Sequence, residues 1–242
     1  MPIEGFALTH PGAVRLNNED ALRFDPELAV AVLADGMGGA NCGEVASAIT
    51  VETICAYLHE QPEDGLDPAC LLKEAVRAAN RRVWQASQAN THCTGMGSTV
   101  VAAHWRGNRL WIVNVGDSRA YLWRSRELRQ LSYDQNVAND LRSSLGLSDE
   151  EISKFPQRNA LTMAIGTSPE VLVREHDEEL MPGDVILLCS DGLYGPVGDT
   201  ALARLLSAQQ ALPGLAAELI EAANNAGGPD NISVAVLRSY QG

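Results

Sequence analysis

Four apolar segments follow one another closely in the middle of the chain: GSTVVAAHW, RLWIVNVG, RAYLWR and ELRQLS, spanning residues 97–132. The pieces between them, RGN, DS and SR, are turns. Parallel neighbours would need crossover helices, and there is no room for any. This stretch therefore predicts antiparallel hairpins. Strand patterns also occupy residues 3–9 and 21–34, the second broken at Pro26, and return at VLVREHDEEL, GDVILLCS and NISVAVLRS. Between these groups the spacing turns helical. One helix, with apolar residues on most faces and largely buried, is predicted from Gly43 to His59. After the loop QPEDGLDP, a second is predicted from Asp67, a capping residue followed by Pro68, with the stripe Leu72, Val76, Ala79, Val83 and Ala86. Two more are predicted near Thr200–Ser207 and Leu212–Asn225. Paired helices between groups of strands predict a layered α+β fold in one domain, residues 1–242.

The formal charge of −13 opposes nucleic acid or an anionic membrane as the main partner. The opening MPIEGFALTHPG lacks the pattern of a signal peptide, and no apolar run reaches bilayer-spanning length, so a cytoplasmic location is expected. The five cysteines form no CxxC pair and are expected to be reduced and structural. The five histidines are scattered without zinc-ligand spacing. No C-x₅-R loop is present, nor the spacing of a nucleotide-binding glycine loop.

Acids recur where buried strands end. Asp35-Gly36 follows AVAVLA, Asp117 lies in IVNVGDSRAY, Asp191-Gly192 follows VILLCS, and Asp230-Asn231 precedes ISVAV. Glu19 and Asp20 stand in RLNNED before the first long strand region. Any one of these could be a turn signal. Several carboxylates at one rigid rim would repel unless cations neutralised them, and hard oxygen-rich clusters suit Mg²⁺ or Mn²⁺. Gly36 would let its own carbonyl approach such an ion. Arg15 offers a planar fork matched to phosphate.

In their order, GAVRLNNED, VLADGMGG, GST, NVGDSRAY, SDGL and GGPDNIS resemble the motifs of the PP2C (PPM) family of metal-dependent protein serine/threonine phosphatases, in its compact bacterial form. The resemblance runs from Gly12 to Ser233. It implies a four-layer α-β-β-α sandwich, two central antiparallel sheets flanked by helix pairs, with two core Mn²⁺ or Mg²⁺ ions in a cleft at one rim. By position, Asp35 bridges the ions, Asp191 and Asp230 complete one, and the Gly36 carbonyl binds the other. Glu19 and Asp20 hold water on the ions, directly or through hydrogen bonds. Asp117 resembles the ligand of a third, weaker ion. Arg15 binds the substrate phosphate, while Asn18, Ser118 and Asn231 support the ligands from behind. Bridging water is expected to attack phosphorus, without a phosphoenzyme.

The implied substrates are phosphoserine and phosphothreonine in proteins, and the implied partners are a Ser/Thr kinase or its targets, with the chain a monomer. Two other readings use the same residues: a weakly catalytic phosphoprotein-binding module, and a hydrolase of small phosphoesters. Three positions depart from the common pattern. Met37 stands where animal members carry a histidine proton donor, Met163 where an arginine is common, and Gln135 where a histidine is frequent. Residues 134–166 are expected to form a polar flap beside the cleft.

Overall fold

The computed structural model describes residues 1–38, 42–61 and 67–241. Two antiparallel sheets lie face to face. The first contains β1 (Ile3–His10), β11 (Ile232–Ser239), β10 (Val185–Cys189), β7 (Arg119–Arg124) and β8 (Glu127–Gln130), in that spatial order. The second runs β2 (Asp20–Asp25), β3 (Val30–Met37), β5 (Val100–Arg106), β6 (Arg109–Val115) and β9 (Arg174–Glu179). The two-residue β4 (Gly97–Ser98) pairs with the end of β3.

Three apolar layers explain why the central strands read as unbroken hydrophobic runs. In β3, Ala31 and Leu33 point between the sheets, where they meet Leu122, Ile186, Leu188, Ala235 and Leu237. Val30, Val32 and Ala34 point the other way, into a core shared with α1 (Gly43–Glu60) and α2 (Pro68–Ala89). On the far side, Leu187, Cys189, Val234 and Val236 pack under α5 (Asp191–Val197), α6 (Asp199–Leu206) and α7 (Leu212–Asn225). A strand buried on both faces has no polar side to show. The four-layer sandwich is therefore what the structure shows.

Asp67 caps α2 by accepting from the Cys70 amide at 3.0 Å, and Leu72, Val76, Ala79 and Val83 are buried as predicted. In α1, nine of 18 residues are buried, so it is one-sided where burial on most faces was expected. Residues 134–160 form two short helices, α3 (Val137–Leu145) and α4 (Asp149–Ser153). Most of the predicted loop QPEDGLDP, residues 62–66, lies outside the described residues, as does Gly39 of the glycine run after Asp35.

Four expectations need correction. The piece DS closes no hairpin: β6 pairs with β5 and β9 while β7 pairs with β10 and β8, so the chain crosses there from the second sheet to the first. Strand β9 begins at Arg174, three residues later than the apolar VLV suggested, because Val171 and Val173 pack against the helical core instead of pairing. Helix α5 was not foreseen, since Gly192, Gly195 and Pro196 are poor helix formers. Most important, Cys42 and Cys93 are joined in a disulfide; the remaining three cysteines are free thiols, with Cys55 and Cys189 buried. Cysteine spacing could not reveal this pair, because 51 residues separate its members and the helical hairpin between them brings them together. Among the described residues, no helix is long and apolar enough to cross a membrane.

Candidate metal centre

The rim where the two sheets meet carries the acids. A cleft of about 630 Å³ is lined by Arg15, Glu19, Asp35, Gly36, Met37, Gly38, Thr99, Asp117, Asn159, Leu161, Asp191 and Asp230. Seven expected site residues thus face one space: Arg15, Glu19, Asp35, Gly36, Asp117, Asp191 and Asp230. Asp20 stands beside the cleft, directly opposite Asp35 in the β2–β3 ladder. Like charges in that register repel, so the pairing persists only because the surrounding structure enforces it.

Close backbone packing supplies that enforcement. A Cβ on Gly36 would lie 2.1 Å from the Gly43 carbonyl oxygen and 2.5 Å from that of Glu19. One on Gly192 would lie 1.9 Å from the Asn231 carbonyl, and one on Gly12, at φ +81°, would lie 2.1 Å from that of Asp230. The glycines beside the acids therefore let separate chain segments touch backbone to backbone. Gly36 therefore has a packing role besides the one expected of its carbonyl.

Side chains then fix each acid. The Asp35 amide donates to Thr99 Oγ1 at 3.0 Å, and Ser98 Oγ donates to the Asp35 carbonyl at 3.0 Å. Thr99 Oγ1 and Ser118 Oγ share a hydrogen bond of 2.7 Å. Asn231 Oδ1 accepts from the Glu19 amide at 2.8 Å, while its Nδ2 donates to the Pro11 and Asn17 carbonyls at 3.0 and 2.8 Å. One side chain thereby pins the whole RLNNED loop next to Asp230. Asn18 Oδ1 accepts from the Asp20 amide at 3.1 Å, and Ser190 Oγ donates to Asp20 Oδ2 at 2.9 Å. Ser118, Asn18 and Asn231 are thus hydrogen-bonded to the segments that carry the acids. Thr99 and Ser190 were visible only as letters of a motif, because a hydroxyl's partner is set by tertiary packing.

The electrostatics are those of an acidic pocket in need of cations. Burial, then repulsion from Asp20, Asp191, Asp230 and Asp117, drives the Asp35 carboxyl well above the usual carboxylate range. Burial pushes Asp20 up to about 6 against the opposing hydrogen bonds of Ser233 and Ser190, with Asp191 and Asp230 adding to the rise. Asp117 is pushed up to about 7 by burial and by Asp191. Burial and Asp230 raise Asp191, and burial and Glu44 raise Glu19. Asp20 Oδ1 is buried without a hydrogen-bond partner. An unpartnered carboxylate oxygen among mutually repelling acids fits a divalent cation. Among the described residues, no three His, Cys, Asp or Glu close tightly enough to enclose an ion by themselves. The acids line an open cleft, an arrangement that suits ions retaining several water ligands.

Arg15 is the only cation lining the cleft among the described residues, and its Nη2 donates to Asp230 Oδ2 at 2.9 Å. Met37 faces the same space, and no lining residue among those described is histidine. Met163 does not reach the cleft lining; it packs against the helical core. Gln135 does structural work, accepting from the Gly116 amide at 2.8 Å and donating to the Leu172 carbonyl at 2.9 Å.

A four-layer sandwich with an acidic cleft at the shared rim of its sheets defines the class of metal-dependent phosphatases. The family model described as Protein phosphatase 2C matches residues 13–233, and the chain belongs to that family. It is 39% identical over 225 residues to the serine/threonine protein phosphatase PstP of Mycobacterium tuberculosis, covering 93% of this chain and 43% of the relative. The chain therefore spans less than half of that relative's length. It is 32% identical to the serine/threonine phosphatase stp of Listeria monocytogenes, covering 95% of this chain and 93% of the relative. A crystal structure of the PstP catalytic domain in complex with two manganese ions superposes with a TM-score of 0.87 at 35% identity, covering 99% of both chains.

Proposed function

We propose that residues 1–242 act as one catalytic unit that hydrolyses phosphoserine and phosphothreonine in proteins with Mn²⁺ or Mg²⁺. The observation that carries this reading is the convergence of Asp35, Asp117, Asp191 and Asp230, from separate strand ends, on one cleft that also holds Arg15. Asp35, Asp191, Asp230 and the Gly36 carbonyl would hold two ions, with Glu19 and Asp20 supporting them and Asp117 serving a third. When bound, such ions neutralise the acids, polarise phosphoryl oxygens and make water a competent nucleophile near neutral pH. The chain's own residues do the remaining work. Arg15, half-exposed at the mouth, exchanges its contact with Asp230 for the incoming phosphate, which its fork can grip bidentately. Thr99, Ser98 and Asn231 keep the acid-bearing loops in place during turnover.

Residues 134–166 form the flap, and Asn159 and Leu161 give it a direct share of the cleft wall. The partners on this reading are phosphorylated proteins and the Ser/Thr kinase whose products are reversed, with a monomer doing the work. The decisive experiment is phosphate release from a phosphothreonine peptide with Mn²⁺, with EDTA, and in Asp35→Asn. Turnover is expected only in the first case; strong turnover in either of the others would overturn the metal-dependent reading.

A further inference from the structure

A closed circuit of side chains runs behind Asp117, and the reaction outlined above does not use it. Tyr194, one turn after Asp191 on α5, donates its hydroxyl to the Asp117 carbonyl oxygen at 3.0 Å. The Arg119 guanidinium lies 3.8 Å from the centre of the Tyr194 ring. That guanidinium makes three hydrogen bonds to the Asp134 carboxylate, from Nε at 3.1 Å to each oxygen and from Nη2 at 2.7 Å. Two residues on, Asn136 Nδ2 reaches Asp117 Oδ2 at 3.4 Å and closes the ring. Asp134, Gln135 and Asn136 are all buried, although they are polar and begin a surface segment. Burying such groups is unfavourable unless they are paired, and here the pairing ties the flap root to the cleft.

The same root carries the flap wall. The Val137 amide donates to the Ala160 carbonyl at 3.0 Å, and the Thr162 amide to the Gln135 carbonyl at 2.9 Å. With the Ala138 amide donating to the Arg158 carbonyl at 2.8 Å, these bonds bracket Asn159 and Leu161, the two flap residues that line the cleft. Meanwhile Asp117 and Asp191 repel each other, and Tyr194 is bonded to the backbone of the one while sharing a helix with the other. Release of that contact would free the Asp117 turn to swing outward.

We propose that Tyr194, Arg119 and Asp134 are positioning residues that hold Asp117 beside Asp191 and make the Asp117 turn and the flap wall move as one body. The inference rests on the functional reading above for what Asp117 binds, but the mechanical coupling stands on the contacts alone. Arginine is required in this role because one planar group must fork onto a carboxylate and stack on a ring simultaneously. Tyrosine is required for its hydroxyl, since phenylalanine would preserve the stack and lose only the bond to Asp117.

The test uses the full chain with Tyr194→Phe, Arg119→Lys and, as reference, Asp117→Asn. Mn²⁺ binding is followed by isothermal titration, and hydrogen exchange is measured on the metal-free proteins. Tyr194→Phe is expected to weaken the weakest Mn²⁺ site by roughly 10–100-fold, the usual effect of removing a group that orients a ligand. The tighter sites should be unchanged, and Asp117→Asn should lose the same weakest site. In metal-free Tyr194→Phe, exchange should quicken together at residues 116–118 and 134–137. Arg119→Lys should do the same more strongly. A wild-type isotherm in Tyr194→Phe, or faster exchange on only one side of the circuit, would overturn the proposal. If the wild type bound no Mn²⁺, the functional reading would fail, and the exchange experiment would still decide the coupling.

Discussion

Replacing Asp117 by asparagine should stabilise the metal-free protein at alkaline pH. Folding lifts the Asp117 carboxyl from 3.8 to about 7, chiefly by burial and then by Asp191. At roughly 1.4 kcal/mol per pH unit, that shift corresponds to about 4 kcal/mol of lost stability above pH 7. The sign is unusual for an aspartate. The folded state binds its proton more tightly than the unfolded state, so the loss is full above the folded value. It shrinks as pH falls from about 7 and is gone below 3.8. Asparagine keeps the shape and can still accept from Asn136, so the substitution removes mainly the charge. Neighbouring acids share the repulsion and can take up part of the proton load, which makes about 4 kcal/mol an upper value and about 2 kcal/mol a realistic one. The assay is urea denaturation in EDTA at pH 8 and pH 4. Asp117→Asn should be the more stable protein at pH 8 and equal to wild type near pH 4, and saturating Mn²⁺ should narrow or reverse the pH 8 difference. Destabilisation at pH 8, or the same change at both pH values, would refute the charge argument.

Other consequences are open to measurement. Gly36→Ala should cost at least about 2 kcal/mol in urea denaturation, because its new methyl meets the Gly43 and Glu19 carbonyls and neither strand nor helix can withdraw cheaply. Arg15→Ala should leave the melting temperature within about 1 kcal/mol equivalent of wild type, since its ion pair with Asp230 is exposed, while phosphopeptide turnover falls sharply. Reduction of the Cys42–Cys93 bridge should lower stability by about 4 kcal/mol in the chain-entropy picture, read as a shift in the urea midpoint with and without dithiothreitol. Phe155→Ala, in the segment proposed as the flap and with its ring exposed, should slow release from a phosphoprotein and spare a small chromogenic phosphate.

Much of this molecule can be read from its sequence where local rules govern. The turns RGN and SR dictate hairpins, Asp67-Pro68 starts a helix, and unbroken apolar runs mark strands covered on both faces, whereas nothing local shows that DS carries the chain from one sheet to the other. The acids were legible because charge at the end of a buried strand is costly and so conspicuous. What stayed hidden depends on contacts between distant segments. Ser190 reaching Asp20, Thr99 receiving the Asp35 amide, and Asn231 holding the RLNNED loop are set by the stacking of sheets. The packing role of Gly36 stayed hidden for the same reason: the atom a side chain there would strike belongs to the start of α1, which no local pattern places beside it.

The Cys42–Cys93 bridge also changes the connectivity of the chain. It encloses the whole α1–α2 hairpin in a covalent ring. Asp35 and Gly36 lie just before that ring, and Ser98 and Thr99 lie just after it, meeting through the Asp35 amide and the Ser98 hydroxyl. A backbone cut anywhere between residues 42 and 93 would therefore leave the two fragments joined. The nicked protein would migrate as one species until a reductant parted it, with both halves of the acidic rim still tethered beside each other.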